Sequence, residues 1–272
     1  TIKSIIDKSI IDTTKNVSVK ADSSLYGLNV LASVGVAIEG ASFVANVIKN
    51  HVIKDTEAAI KNSTIVNAGN IEVIANKDKQ DELINVSGGV SVAATGVSGI
   101  TGNIYNIYKD KTNANVTSSE IEKAVALNVE AYSNKILTNR DVGVSAGVVG
   151  VGLLIDVLAN EIDSSTVALI DAKNKRMFLS DDVVVLADDK TQSSNTMVAV
   201  YGGAGFAGAN VNLFDADNLV KAQVLSDTDG LISAKNVNMD SSSQFAIGNT
   251  NVGVALGIGG VAGDVFALRI DL

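Results

Sequence analysis

Apolar and polar residues alternate along most of this chain in short stretches broken by polar turns, and the alternation itself recurs. An Asn or Asp followed by apolar residues at every second position opens NVSVKA at 16, NIEVIA at 70, NVEAYS at 128, DVVVLA at 182 and NVNMDS at 236. The spacings between these anchors are 54, 58, 54 and 54 residues. Alternation with a period of two predicts strands with one buried face. Self-similarity at a fixed interval predicts a stacked architecture in which each unit packs on its neighbours.

Each unit reads in three parts. The anchor strand comes first, as in Val17/Val19/Ala21, Ile71/Val73/Ala75 and Val183/Val185/Ala187, followed by a polar loop such as NKDKQDE or DDKTQSSN. A run rich in Gly, Ala and Val follows, with clear alternation in Val142/Val144/Ala146/Val148 and Val252/Val254/Leu256/Ile258. Most of these runs close on Asn or Asp before an apolar residue: Asn46-Val47, Asp156-Val157, Asn210-Val211 and Asp264-Val265, with Asn103-Ile104 drifting in the second unit. The third part returns with weaker alternation and Ser or Asn at corners, where they bond local backbone and tolerate left-handed turns. Helix competes with strand only over SSEIEKAVALN, which carries a capping-box pattern at Ser119 and Glu122.

The predicted fold is all-β, a parallel β-helix. Three strands of five or six residues plus turns close a coil of roughly 18–24 residues. A 54-residue unit would then hold two to three coils and the chain about 12–14, a rod on the order of 60 Å long. We read residues 1–272 as a single solenoid segment cut from a longer repeat protein.

Composition supports strands. Proline is absent, where a chain of this length averages about 14, and proline is excluded from central strands. The absence of Cys rules out disulfides, iron–sulfur clusters and thiolate zinc sites. The net charge of −9 disfavours nucleic acid and anionic membrane surfaces as partners. The N-terminal TIKSIIDKSII has no basic stretch before an apolar run and does not read as a signal peptide.

Candidate chemistry does not accumulate. GAGFAG at 203–208 has the glycine spacing of a dinucleotide site, but a β-rich stretch follows where a helix is needed. GGAGFA (202–207) and GGVAGD (259–264) lack the full calcium nonapeptide, and the acidic SDTDG (226–230), DAD (215–217), Asp181/Asp182 and Asp188/Asp189 read as solvated turns. His51 is the single histidine and has no partner for a triad or a metal. Arg140, Arg176 and Arg269 are too scattered for a nucleic-acid footprint. A carbohydrate-cleaving β-helix would need acidic groups clustered beside aromatics such as Tyr105 and Tyr108, and no such cluster recurs. The glycine-rich runs are long enough to raise membrane insertion, but Glu39, Asp156 and Asp264 interrupt three of them, and we expect no stable insertion. No catalytic residue, cofactor or metal is expected.

TEAAIKNSTIVNAGNIEVIANK (56–77), VSGGVSVAATGVSG (86–99) and VGVSAGVVGVG (142–152) resemble the passenger regions of very large Gram-negative exoproteins. The likeness is to the filamentous-haemagglutinin-like proteins and most closely to the cysteine-free leukotoxin and giant adhesins of fusobacteria. The resemblance spans the chain and implies a right-handed β-helical rod, secreted or held at the cell surface after type V export through an outer-membrane barrel. It further implies contact with host cells; we expect a scaffold that binds a host-cell protein or glycan, with a membrane-inserting cytotoxic segment or a polysaccharide-processing enzyme as alternatives. Exposed aromatics in polar loops, Tyr26, Phe178 and Phe245, are the candidate host contacts.

Overall fold

The computed structural model describes residues 1–271, most of them in strands that pair in parallel. Each strand pairs with the residues 54 or 56 positions further on: Val17 with Ile71, Ile71 with Leu127, Leu127 with Val183 and Val183 with Val237. One repeat is therefore one turn. The chain makes about five rungs rather than the expected 12–14 coils, and at the ordinary strand spacing they rise on the order of 20 Å.

The expected short coil is present, but as part of a larger one. In the second rung, residues 56–61, β5 (Thr64–Asn67) and β6 (Ile71–Ala75) form three sides of a compact base. The same sides are made by β1 (Ile2–Asp7), β2 (Ile10–Asp12) and β3 (Val17–Ala21) above, and by residues 112–117, β8 (Glu120–Ala124) and the start of β9 (Leu127–Asp171) below. Between successive bases the chain runs out and back. β4 (Tyr26–Lys61) leaves the base, reverses at Gly40 and returns, so that Asn29 bonds Asn50 and Ser33 bonds Asn46 across the fold. β7 (Asp81–Thr117), β9 and β11 (Val183–Leu225) repeat this path; β13 (Val237–Gly257) and β14 (Gly260–Asp271) form its last copy. Period-two alternation is the same whether a strand starts a new coil or lengthens the old one, which is why the coil count misled.

The base carries the apolar core. Ala58, Ala114 and Ala168 stack in one row, and Val73, Val129 and Val185 in another, all fully buried. Its first corner is left-handed in four rungs, at Lys8, Asn62, Ser118 and Asn174, with φ of 50, 51, 51 and 55°. The expected Asn and Ser corners occur here. The strand reading of Glu120–Ala124 also holds, with Ile121 fully buried between β5 and β10 (Arg176–Leu179). The anchor at Asn128 is out of step: the corner stacked between Asn70 and Asp182 is Ala126, whose carbonyl accepts the Ile71 N–H.

Glycines stack at the reversals. Gly96 has φ +118°, and a Cβ there would sit 1.9 Å from the carbonyl oxygen of Gly40. Gly96→Ala should cost about 1–3 kcal/mol through strain at this backbone conformation, read as a lower urea midpoint. Gly88→Ala, whose new methyl meets nothing closer than 3.8 Å, should leave the midpoint nearly unchanged.

Candidate functional site

The out-and-back arms stack into a flat, two-sheet blade whose two outer faces are apolar. One outward row reads Val34, Val90, Val144, Val200, Val254, one residue per rung. On the returning arms a matching row reads Val47, Asn103, Val157, Val211, Val265. Exposure is high even in inner rungs, 71% at Val148 and 55% at Ile155. Charge returns only toward the base, at Arg140, Lys49, Glu161, Asp215 and Arg269; beyond them Glu39 at the first reversal is the one outward charge among the described residues. A groove of about 490 Å³ on this boundary is lined by Val47, Tyr105, Ile107 and Leu213 beside Lys49, Glu161 and Asp215. Apolar patches of this extent mark contact surfaces.

The interior of the blade is mixed: apolar rows such as Val44, Ile100, Leu154 and Ile48, Ile104, Leu158 alternate with polar ones. Asn29, Asn85, Asn139, Asn195 and Asn249 form one inward row, and Asn50, Asn106 and Asn160 face them. Asn85 Nδ2 donates to Asn139 Oδ1 at 2.8 Å, and Asn139 Nδ2 to Asn195 Oδ1 at 2.9 Å. Other bonds cross the blade, as from Asn85 to Asn106 Oδ1 at 3.0 Å. Such a network in a dry interior is strong when complete and costly when broken. Its sequence signal is Asn at intervals of 54 and 56, a spacing that corner Asn such as Asn16 and Asn70 share.

Nearer the reversal, Asp141 and Asp156 are buried among Gly89, Gly102 and Gly143. The Cβ that Gly102 lacks would lie 2.2 Å from Asp141 Oδ2 and 2.7 Å from Asp156 Oδ1. Gly102 N–H donates to Asp156 at 2.8 Å, while one oxygen of each carboxyl has no partner. Burial pushes Asp141 up to about 6; burial and then the neighbouring Asp141 charge push Asp156 up to about 8. A raised folded-state pKa means that the native protein binds more protons than the unfolded chain above the normal carboxyl range, so stability falls as pH rises. The contribution is complete below about pH 4 and is lost through the interval up to about pH 8. Urea midpoints should fall over that interval, and Asp156→Asn should flatten the profile.

At the junction of blade and base lies a buried ionic cluster. Lys54 Nζ is 2.7 Å from Asp81 Oδ2, which also accepts the Tyr108 hydroxyl. Lys135 Nζ is 2.8 Å from Asp189 Oδ2 and 3.9 Å from Asp110 Oδ2, with all three side chains fully buried. Burial, followed by the Asp81 carboxylate, pushes the Tyr108 phenol far above its usual range. Tyr108 therefore serves the interior, not the catalytic surface that a carbohydrate-cleaving site would need.

Compared with family models, with characterised proteins and with solved structures, the chain matches none. The likeness to exoprotein passengers thus rests on sequence pattern alone.

The three aromatic candidates separate. Tyr26 is exposed at the root of the first blade arm, and Phe178 is exposed on β10, where it lines a cleft with Thr14, Asn67 and Lys123. Phe245 is not in a loop: it lies in β13, faces inward and, half-buried, packs against the cluster of Tyr108, Leu137 and Phe214. GAGFAG sits at the fourth reversal, where Gly203 has φ +143° and strand lies on both sides. SDTDG is a surface turn: Asp227 accepts backbone N–H groups of Asn174 at 3.0 Å and Asp229 at 3.2 Å, which hold its carboxyl below the usual range. His51 lies outward beside the charged boundary.

Proposed function

We propose that this chain is a solenoid segment of a secreted exoprotein whose blade inserts into the lipid surface of a target cell while its base acts as the scaffold. The observation that carries this reading is the outer surface of the blade: aliphatic side chains exposed on both faces, while Asn and Asp rows are buried inside among apolar ones. Water disfavours two such exposed aliphatic faces; hydrocarbon favours them. Length agrees as well. Nine extended residues from Val86 to Ala94 span about 30 Å, close to the hydrocarbon thickness of a bilayer. The expectation of no stable insertion rested on Glu39, Asp156 and Asp264 interrupting apolar runs. Asp156 and Asp264 belong to an inward row, and Glu39 stands at a reversal, so none lies on the flat lipid-facing stretches.

Sheet edges qualify the mode of insertion. The outer edges of the first and last rungs carry unpaired backbone groups, which hydrocarbon does not tolerate. Insertion should therefore depend on edge pairing between copies, and leakage should rise more steeply than linearly with protein concentration. Flotation with phosphatidylcholine vesicles tests the reading. Co-flotation that persists in high salt is expected, because the attraction is apolar and the chain is acidic. Protein remaining wholly at the bottom of the gradient would overturn it.

A further inference from the structure

The buried cluster beneath the blade has the parts of a self-linking site. Lys135 is fully buried, and its amine lies 3.0 and 2.8 Å from the two carboxyl oxygens of Asp189, in the next rung. Ser164 and Thr166 donate to Asp189 Oδ2 at 2.7 and 3.1 Å, so hydroxyls already point at the oxygen that would carry charge during attack on that carbon. Asp110, 3.9 Å from the amine, accepts the Ser133 hydroxyl at 2.6 Å. Leu137 and Ile162 close the side toward the blade and keep water out.

Charge in this cluster does not balance. Lys54 and Lys135 face Asp81, Asp110 and Asp189, leaving one carboxylate in excess within a dry interior. Burial, the largest influence on Asp110, raises its pKa and favours its neutral form. A neutral carboxylic acid beside an amine and a second carboxyl is a proton carrier placed between nucleophile and electrophile.

We propose that Lys135 and Asp189 condense spontaneously after folding to an isopeptide bond between the third and fourth rungs. A proton passes from the Lys135 ammonium to the Asp189 carboxylate through Asp110, leaving a neutral amine and a neutral acid. Lys135 Nζ then bonds to Asp189 Cγ, and the resulting oxyanion is held by Ser164 and Thr166. Asp110 takes a proton from nitrogen and returns one to the departing hydroxyl, the Cγ–O bond breaks, and one water leaves. No oxidant, reductant or co-reactant is required. Two buried charges disappear, which favours the amide where solvation of the ions is poor.

Intact-mass spectrometry of the purified chain tests this without any variant. The expected mass is one water below that of the sequence, and digestion should yield a branched peptide joining Lys135 to Asp189. Lys135→Arg and Asp110→Asn, each checked for retained strand signal by circular dichroism, should return the full mass. A wild-type chain at full mass would overturn the proposal. So would a water loss mapped to a succinimide at Asp229-Gly230 rather than to a branched peptide. Asp110→Asn that still loses water at Lys135 and Asp189 would overturn the role given to Asp110.

Discussion

Val90→Arg together with Ile155→Arg should abolish binding to phosphatidylcholine vesicles while leaving the fold intact. The two positions sit on opposite outer faces of the blade, 37% and 55% exposed. An Arg on the lipid face of a transmembrane strand costs about 2–4 kcal/mol near the bilayer centre. One on each face should lower affinity by roughly a thousandfold or more. Solution stability should shift by only about 0.5 kcal/mol, as for surface sites in general. Lys173→Glu, exposed at a corner of the base, serves as the control and should leave binding unchanged. Equal loss with the control, or binding by the double variant at wild-type level, would point away from the blade.

Where Lys135 and Asp189 remain an ion pair, Lys135→Met should destabilise the protein by about 3–5 kcal/mol, because it leaves buried carboxyls without their cation. That is a large fraction of the 5–15 kcal/mol typical of a folded domain. The comparison is Lys235→Met, whose partner Asp181 is 3.6 Å away and whose two side chains are largely in water; exposed pairs of this kind contribute about 0–1 kcal/mol. Pairing Lys135→Met with Asp189→Leu should recover much of the loss, since replacing both charges with apolar groups removes the desolvation cost. Urea unfolding of the four proteins checks the set. If Lys135→Met matched Lys235→Met, the cluster would not hold the blade to its base.

Much of the backbone was legible. The spacing of Val17, Ile71, Val183 and Val237 in the sequence is their spacing in the stack, and proline's absence agrees with arms that pair on both sides. Three features escaped, for physical reasons. Alternation reports which side chains share a face but not where a strand turns, so long arms looked like extra coils. It also does not say which face is inward: the Val34 row reads as core by hydrophobicity yet points out, because Gly, Ser and Asn on the other face let the two arms approach. Finally, Phe245 follows a polar stretch and looked like loop, whereas its alternation with Ile247 places both inside. The inward Asn rows are visible as period-spaced Asn, but they break the rule that polar side chains stay outside. Local patterns that break such a rule are expected at functional surfaces.

The most direct measurement exploits the absence of native Cys. Single Cys substitutions at Val142, Val144, Lys173 and Lys235, each labelled with an environment-sensitive fluorophore, place two probes on an outer blade face and two on the base. With phosphatidylcholine vesicles, labels at 142 and 144 should shift to the blue and be quenched by nitroxide-bearing lipid, while labels at 173 and 235 should not. Uniform response, or none at any of the four positions, would contradict a blade that meets lipid with its outward valines.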